Sequence, residues 1–451
     1  MPPDVLDQEI QQRLAKYGRF GVHLGLERIQ RLLADLGNPH HQVPVIHVAG
    51  TNGKGSVCAY LSSVLTQAGY RVGRYTSPHL VSWCERLCLN DQPIAASTLD
   101  RTLAQVEAAI APDATTPTQF EVLTAAAWLW FAQQAVDVAV IEVGLGGRLD
   151  ATNVVDAPLV AIITSLSREH WQRLGPTLAD IAGEKAGVLK SQCPAVIGPL
   201  PPEAEAVVLA RAATVGCPVV RPARAQLDPQ GWAIFPSAST TGAPLPCRLP
   251  FAGAHQLVNG AIAIAALQSL REQGWQVSDS AIQAGIAQAR WPGRLQWLTW
   301  RAPDGHADPW LIDGAHNPAA AIVLRRYLDD LQGADGAASE GARLQPSPLV
   351  WPVPPTTTWL MGMLSTKDHA DVLQALLRPG DRLHLVPVPG HDAISPVALQ
   401  NIAWTVCPDL AACTPYDTLA AGLAGASSDR HPLKVLCGSL YLVGHFFQTQ
   451  F

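Results

Sequence analysis

The stretch PVIHVAGTNGKGSV, Pro44–Val57, decides how the chain is organised. Its first part, Val45–Val48, is a β-branched run typical of a buried strand, and helical spacing of apolar residues begins at Gly55. A glycine-rich turn that carries Lys54 lies between the two. Glycines let the backbone turn its N–H groups toward an anion, and the following helix adds the positive end of its dipole. The stretch therefore predicts a phosphate-binding loop between a strand and a helix.

This loop departs from the usual phosphate-loop pattern, G-x-x-x-x-G-K-[ST]. The spacing before Gly53 and Lys54 is shorter, and a further glycine, Gly55, precedes Ser56. We expect the loop to bind a polyphosphate and Lys54 to supply the positive charge that faces it. The loop differs from the standard one in its spacing.

Composition sets the protein class. The length of 451 residues allows about three domains, of which we expect two, and the content of 48% hydrophobic and 15% charged residues is typical of a globular enzyme. A net charge of -6 argues against a general nucleic-acid surface, which needs a dense basic face. The sequence shows neither a signal-peptide pattern nor an apolar run long enough to cross a bilayer, so we expect a cytoplasmic protein. The nine cysteines form no C-x-x-C pair, and we interpret them as small buried residues.

Polar residues follow three further predicted strands. Ser77 and His79 flank a proline after the strand that begins at Val72, Glu142 interrupts the apolar run Val138–Val143, and His170 follows a strand ending near Ser165. Ligands bind at the carboxyl ends of parallel strands, so the Ser77 turn should lie beside the phosphate loop if their strands are neighbours. Glu142 is either a metal ligand or a structural carboxylate, and His79 either faces a ligand or caps its own turn.

A lysine in an apolar setting is a further candidate. Thr177 and Asp180 form a capping-box pattern that begins a helix, and Lys185 follows on it, flanked by alanines and Gly187. Such a lysine either has a lowered pKa and reacts as an amine or faces solvent as an ordinary helix lysine. The residues alone leave both interpretations open.

The second half of the chain repeats the α/β alternation. We predict a helix over Gly253–Leu267, a domain boundary near Trp291–Gln296, and a strand at Trp310 that ends in Asp313 and His316. The expected fold is α/β: a phosphate-loop parallel-sheet ATPase domain over residues 1–293, followed by a smaller Rossmann-like α/β domain over 294–451. Residues 333–355 are rich in Gly, Ala and Pro and are predicted to form a surface loop or a disordered insertion.

Taken in order, these motifs resemble one family. HVAGTNGKGS, TSPHL, EVGLGGRLDATN, EKAGVLK, PGR and DGAHNP are similar to the folylpolyglutamate synthase and dihydrofolate synthase family, which belongs to the ATP-dependent Mur-type amide ligases. The resemblance extends from about Gly25 to Gly444. Two departures from the family pattern are Gly183, where larger residues are common, and Glu169, which replaces the usual Asp.

The resemblance implies a set of site residues. ATP is expected to contact Asn52, Gly53, Lys54, Gly55, Ser56, Asn259, Arg294, Asp313 and His316. Magnesium is expected at Ser77, Glu142, His170 and a carbamylated Lys185. The pteroate or folate is expected at Val22, His23, Leu24, Thr118, Gln119, Phe120, Glu121, Leu149, Asp150 and Ala151. Lys54, His170 and Lys185 are the residues expected to serve catalysis.

The implied activity is ATP-dependent addition of L-glutamate to dihydropteroate, to folyl polyglutamates, or to both, through an acyl phosphate. Its partners are these small molecules, with no nucleic acid or membrane, and a monomer is expected. The alternatives are a monofunctional folylpolyglutamate synthase, a Mur-type cell-wall ligase, and a phosphate-loop switch or binding protein without ligase activity. GLERIQ and TSPHL favour the folate branch over the cell-wall ligases, and a simple switch leaves Glu142, His170 and Lys185 without a role.

Overall fold

The computed structural model describes residues 3–18, 25–111, 115–236, 238–301, 305–332, 355–429 and 433–450. The chain divides into two compact units. The first comprises residues 1–226, 233–248 and 258–289, and the second comprises 227–232, 249–257 and 290–451. The sequence predicted one domain boundary, between residues 293 and 294, and that boundary stays a prediction. The predicted insertion over 333–355 lies, apart from its last residue, outside the described residues.

The α-helices within the described residues are, in chain order, α1 Pro3–Ala15, α2 Glu27–Asp35, α3 Lys54–Gln67, α4 Ala96–Ala109, α5 Gln119–Gln133, α6 Trp171–Leu174, α7 Leu178–Ala186, α8 Pro202–Thr214, α9 His255–Glu272, α10 Asp279–Gln288, α11 Pro318–Gln332, α12 His369–Leu376, α13 Pro396–Val406, α14 Leu419–Ser428 and α15 Leu440–Gln450. Two short 3-10 turns are Pro39–Gln42 and Trp83–Arg86.

The strands are β1 Val45–Ala49, β2 Val72–Tyr75, β3 Leu87–Leu89, β4 Gln92–Pro93, β5 Val138–Glu142, β6 Val160–Ile163, β7 Ala195–Ile197, β8 Val219–Val220, β9 Gln226–Leu227, β10 Ala233–Phe235, β11 Leu245–Cys247, β12 Gln296–Arg301, β13 Ala307–Ile312, β14 Thr358–Met361, β15 Arg382–Leu385, β16 Ala412–Pro415 and β17 Lys434–Cys437.

The main sheet of the first unit has, among the described residues, eight strands in the order β4-β3-β2-β5-β1-β6-β7-β8. The six strands β2, β5, β1, β6, β7 and β8 pair in parallel, in that order across the sheet. β3 and β4 continue the sheet beyond β2 as an antiparallel edge. Every residue of β1, β5 and β6 is buried, as expected for parallel strands covered on both faces. The sequence prediction of an α/β chain built on parallel sheets is confirmed.

Local sequence explains where the helices beside this sheet begin. Thr118 at the start of α5 and Thr177 at the start of α7 each accept a hydrogen bond from the peptide N–H three residues later, with an acidic side chain returning the bond. Both are capping boxes, and the one at Thr177 is the predicted one. The tryptophans of α5, Trp128 and Trp130, are buried in the hydrophobic core, as expected for an apolar helix.

The second unit contains a sheet whose described strands follow the order β12-β13-β17-β14-β15-β16. β12 is antiparallel to β13, and the remaining pairs are parallel. Trp359, Leu383 and Val435 lie in one core cluster of this unit. Helix α11 contributes to the same cluster through Leu324 and Leu328. The predicted α/β alternation after Trp310 is therefore present.

All nine cysteines of the chain are free and buried. The interpretation of these residues as small packed side chains is confirmed for their burial.

Candidate functional site

The phosphate loop lies between β1 and α3, where the sequence predicted it, and is held by the end of β6. The N–H of Thr51 donates to the carbonyl oxygen of Ser165 at 2.7 Å, and that of Asn52 donates to the Ser165 hydroxyl at 3.1 Å. The hydroxyl of Thr164 donates to the carbonyl oxygen of Asn52 at 2.7 Å. These contacts fix the loop backbone. The peptide N–H of Asn52 thus supports the loop itself.

Two positions of the loop require glycine. Gly50 and Gly53 have backbone φ angles of 146° and 86°, which residues with a side chain rarely adopt. A Cβ atom on Gly50 would lie 2.0 Å from Oγ1 of Thr164, and one on Gly53 would lie 2.5 Å from Oδ1 of Asn259. The second approach also places the Asn259 amide, a predicted nucleotide contact, directly against the loop.

Lys54, Glu142 and Ser77 come together at the carboxyl edge of the sheet. Nζ of Lys54 lies 3.9 Å from Oε1 of Glu142 and donates to the carbonyl oxygen of Thr51 at 3.2 Å. The N–H of Ser77 donates to Oε2 of Glu142 at 3.2 Å. The condition that β1 and β2 be neighbours is not met, because β5 lies between them. Glu142, at the end of β5, instead joins the Ser77 turn to the phosphate-loop lysine.

Lys185 is buried in α7 and faces the phosphate loop. Its Nζ donates a hydrogen bond to the carbonyl oxygen of Gly50 at 2.8 Å. Burial, with the positive charge of Lys54 acting in the same direction, lowers the pKa of Lys185 from 10.5 to about 7, against the opposing charges of Glu169 and Asp150. The solvent-facing alternative is therefore wrong, and the lowered pKa agrees with the other interpretation. A large share of Lys185 is a neutral amine near neutral pH.

His170 lies just past β6, at the start of α6, as the sequence predicted. Its side chain is 45% exposed, and Nε2 lies 3.9 Å from Oε1 of Glu169. Within the described ranges, no group of three or more His, Cys, Asp or Glu side chains is arranged to hold a metal ion. A cation at this edge would therefore need oxygen ligands from a bound substrate or water as well.

The loop over residues 144–155, which follows β5, is tied to the lysine-bearing helix. The N–H of Arg148 donates to the carbonyl oxygen of Glu184 at 2.7 Å, and Nδ2 of Asn153 donates to that of Gly187 at 3.2 Å. A Cβ atom on Gly187 would lie only 2.4 Å from Cβ of Arg148. The 144–155 loop and the segment carrying Lys185 are thus in close backbone contact.

This loop carries three of the predicted folate contacts, and the structure brings a fourth beside it. Leu149 is half-buried, Ala151 is buried, and the buried carboxylate of Asp150 accepts hydrogen bonds from the N–H of Leu145 at 2.8 Å and of Thr152 at 3.0 Å. Burial raises the pKa of Asp150, while these bonds act to lower it. Phe120 packs against the same loop. A Cβ atom on Gly144, the first residue of the loop, would lie 2.5 Å from Cζ of the Phe120 ring.

Other predicted folate contacts have a structural task of their own. Thr118 and Glu121 form the capping box of α5, next to Gln119, the first residue of the helix. Glu121 is also paired with Arg28 of α2 at 3.1 Å. Val22, His23 and Leu24 lie outside the described residues.

Three predicted nucleotide contacts lie together in the second unit, around the end of β13. The buried carboxylate of Asp313 accepts from the N–H groups of Leu295 and Ala315, each at 2.8 Å. Burial raises the pKa of Asp313, opposed by the charge of Arg294. Nδ1 of His316 donates to the carbonyl oxygen of Gly314 at 2.8 Å, and a Cβ on that glycine would lie 2.8 Å from Nη1 of Arg294.

The residues that support the phosphate loop and the Asp150 carboxylate were not predicted from the sequence. The Thr164 and Ser165 hydroxyls support the phosphate loop, and Thr152 binds Asp150. The pair of hydroxyl residues directly after the apolar strand β6 was the available signal for Thr164 and Ser165, whereas Thr152 is a single hydroxyl residue without such a signal. No helix of the described chain is long and apolar enough to cross a membrane.

Two protein families match the chain in succession. The Mur ligase middle domain matches residues 48–267, and the dihydrofolate synthetase C-terminal domain matches residues 296–449.

Curated relatives match over nearly the full length. Dihydrofolate synthetase of Saccharomyces cerevisiae is 33% identical over 448 residues, covering 95% of this chain and 98% of the relative. Dihydrofolate synthase/folylpolyglutamate synthase of Escherichia coli is 34% identical, covering 95% and 92%. Among solved structures, E. coli FolC in complex with DHPP and ADP superposes with a TM-score of 0.79 at 32% identity, covering 98% of this chain and 97% of that one.

Proposed function

Since this chain belongs to the dihydrofolate synthase and folylpolyglutamate synthase family, we propose how its own residues perform the family's reaction. The protein is an ATP-dependent ligase that adds L-glutamate to dihydropteroate and to folyl polyglutamates. The observation that carries the proposal is the meeting of a phosphate loop, a carboxylate and a buried lysine at one sheet edge. Lys54, Glu142 and Lys185 supply these three groups.

ATP binds at the phosphate loop. The N-terminus of α3 and the ammonium of Lys54 present positive charge to the phosphates. Asn259 lies against Gly53 and would contact the nucleotide from the same unit. Arg294, Asp313 and His316 form the second group of nucleotide contacts that we propose. All of these contacts agree with the resemblance found in the sequence.

The donor atoms at the sheet edge suit a magnesium ion. Mg²⁺ prefers oxygen ligands, keeps several waters, and takes only one or two carboxylates from the protein beside substrate phosphates. Glu142 offers a buried carboxylate next to Ser77, and His170 follows β6, which β1 separates from the Glu142 strand β5. The absence of a group of three such side chains among the described residues fits this mode of binding. Bound there with ATP, the ion would neutralise charge on the transferred phosphoryl group.

We further propose that Lys185 carries a carbamate. The neutral amine attacks the carbon of CO₂, a C–N bond forms, one C=O electron pair moves to oxygen, and a proton leaves to water. An ordinary lysine is almost fully protonated at neutral pH, whereas Lys185 has a pKa of about 7. The remaining N–H can still donate to Gly50, and the new anion relieves the repulsion from Lys54.

The chain's residues then divide the chemistry. Lys54 faces the charge that spreads over the γ-phosphoryl oxygens as ATP phosphorylates the substrate carboxylate. The 144–155 loop and Phe120 hold the pteroate or folate, so that its carboxylate meets the phosphoryl group. The neutral amine of L-glutamate attacks the carbonyl carbon of the resulting acyl phosphate and a C–N bond forms. The C–O bond to phosphate breaks, phosphate leaves with the electron pair, the nitrogen loses a proton to water, and an amide remains.

The test is phosphate release from ATP in the presence of L-glutamate, with dihydropteroate in one reaction and a tetrahydrofolate monoglutamate in the other. Turnover with both acceptors is the expected result. Turnover with the folate alone would identify a monofunctional folylpolyglutamate synthase. Tight ATP binding without release in either reaction would contradict the proposal and direct the assay to cell-wall acceptors.

A further inference from the structure

A histidine lies in the centre of the first unit's sheet, on the strand that leads into the phosphate loop. His47 of β1 is fully buried, and its register neighbours are Ile141 of β5 and Ala161 of β6. A polar side chain at such a position costs free energy unless its polar atoms find partners. No step of the proposed reaction uses His47.

Nε2 of His47 begins a buried chain of hydrogen bonds. It lies 2.9 Å from Oγ1 of Thr152, and that hydroxyl lies 2.6 Å from Oδ1 of Asp150. An ionised carboxylate can only accept, so the Thr152 hydroxyl donates to Asp150 and must accept from His47. The histidine is therefore the Nε2–H tautomer. Burial lowers the pKa of His47 to about 3, which keeps the ring neutral at working pH.

The other ring nitrogen, Nδ1, indicates that the histidine is not present to stabilise the sheet. Nδ1 of His47 is buried and has no hydrogen-bond partner among the described residues. Leaving a buried polar atom unpaired costs about 1–3 kcal/mol, and an apolar residue of similar size would avoid that cost. The bond from Nε2 to Thr152 is therefore a better reason for the histidine than the stability of the sheet.

The chain of bonds ends in the loop that carries the proposed acceptor contacts. Asp150 lies between Leu149 and Ala151, and the underside of the 144–155 loop packs through Ala151 and Val154 in the same apolar cluster as Val45. On this apolar underside, His47 provides a polar anchor. Through the Thr152 hydroxyl it is connected to the Asp150 carboxylate, which the N–H groups of Leu145 and Thr152 also bind.

We infer that His47 is a positioning residue for the acceptor substrate: through the Thr152 hydroxyl it orients the Asp150 carboxylate and the 144–155 loop toward the pteroate or folate. This inference rests on the proposed function. His47 itself does not touch the substrate. The phosphate loop has its own supports at Thr164 and Ser165, so the effect should fall on the acceptor and spare ATP.

Two matched pairs of variants test this role. Thr152→Val keeps the shape of the side chain and removes the hydroxyl, whereas Thr152→Ser keeps the hydroxyl. His47→Leu removes the donor, whereas His47→Gln can place an amide N–H near the position of Nε2. Steady-state kinetics with the full-length protein would give kcat and KM for the acceptor and for ATP, and urea unfolding would report the stability of each variant.

We expect Thr152→Val to raise the acceptor KM about tenfold, the size of one lost hydrogen bond to a charged group. His47→Leu removes a bond between two neutral groups and should raise the acceptor KM about fivefold. The KM for ATP should stay within about twofold, and Thr152→Ser should restore most of the acceptor affinity. An unchanged acceptor KM in Thr152→Val, or equal rises for acceptor and ATP, would overturn the inference. A wild-type protein without turnover would overturn the proposed function first, and the inference with it.

Discussion

The Nζ atom of Lys185 donates a hydrogen bond to the carbonyl oxygen of Gly50, 2.8 Å away. This bond joins helix α7 to the first glycine of the phosphate loop, which lies 135 positions earlier in the chain. The lysine proposed to carry a carbamate is thus fixed beside the loop proposed to bind ATP. The proposed carbamate position and the proposed ATP-binding loop are thus joined by one hydrogen bond.

Replacing Lys185 with alanine should abolish turnover and leave ATP binding largely intact. The variant removes the proposed carbamate but none of the loop's supports at Thr164 and Ser165. We expect turnover to fall by roughly 100-fold or more, as when one charge-stabilising group is lost from an active site. Phosphate release and calorimetric titration with ATP would measure the two effects separately.

Lys16, an exposed lysine at the end of α1, is the control, and Lys16→Ala should behave as wild type. A small carboxylic acid such as acetate should partly restore turnover in Lys185→Ala, because it can occupy the place of the carbamate. Wild-type turnover in Lys185→Ala would remove the carbamate proposal.

Glu142→Gln should weaken the response to magnesium. The amide keeps the size of the side chain but loses the charge that attracts the cation and faces Lys54. We expect the magnesium concentration for half-maximal turnover to rise roughly 10–100-fold. Glu203→Gln, at an exposed position of α8, provides the comparison. Superimposable magnesium titrations for Glu142→Gln and wild type would count against a ligand role.

Two glycines near Lys185 should respond to alanine in opposite ways. A Cβ on Gly187 would lie 2.4 Å from Cβ of Arg148, so Gly187→Ala should destabilise the protein by about 1–3 kcal/mol and raise the acceptor KM. Gly183 lies within α7 with nothing within 4 Å of its Cβ position, so Gly183→Ala should stabilise the helix by about 0.5–1 kcal/mol. Urea unfolding measures both. Equal effects would show that the contact with Arg148 relaxes freely.

Burial of His47 should make stability depend on acidity. The pKa of His47 is 6.5 ordinarily and about 3 in the fold, mainly through burial and secondly through the charge of Lys190. Between these values the unfolded chain binds more protons, so this contribution is complete above pH 6.5 and is lost as pH falls toward 3. At pH 5 the loss amounts to about 2 kcal/mol.

Urea unfolding of wild type and His47→Leu at neutral pH and at pH 5 checks this expectation. The decrease in stability on acidification should be smaller in the variant by about 2 kcal/mol. Equal decreases in both proteins would show that His47 is able to take up a proton inside the fold.

Local patterns in the sequence predicted the strand, loop and helix around Lys54 and the capping box before Lys185, because burial and capping leave marks on neighbouring residues. The strand order left no such mark. That β5 lies between β1 and β2, and that Glu142 therefore meets both Ser77 and Lys54, depends on pairing between distant segments.

The partners of polar residues were equally hidden. His47 appears in the sequence as one residue in an apolar strand, and its hydrogen-bond partner Thr152 lies 105 positions away. Lys185 could be either exposed or buried on local evidence, because alanines and glycine flank lysines in both settings. Its contact with Gly50, made through the folded sheet, decided between them.

The burial of the nine cysteines gives this protein its own unfolding indicator. Burial raises the pKa of every one of these thiols, so in the native state few thiolates are available to a colorimetric thiol reagent. Loss of structure would expose these thiols to rapid modification. The number of thiols that react at each urea concentration would then report unfolding without an engineered label.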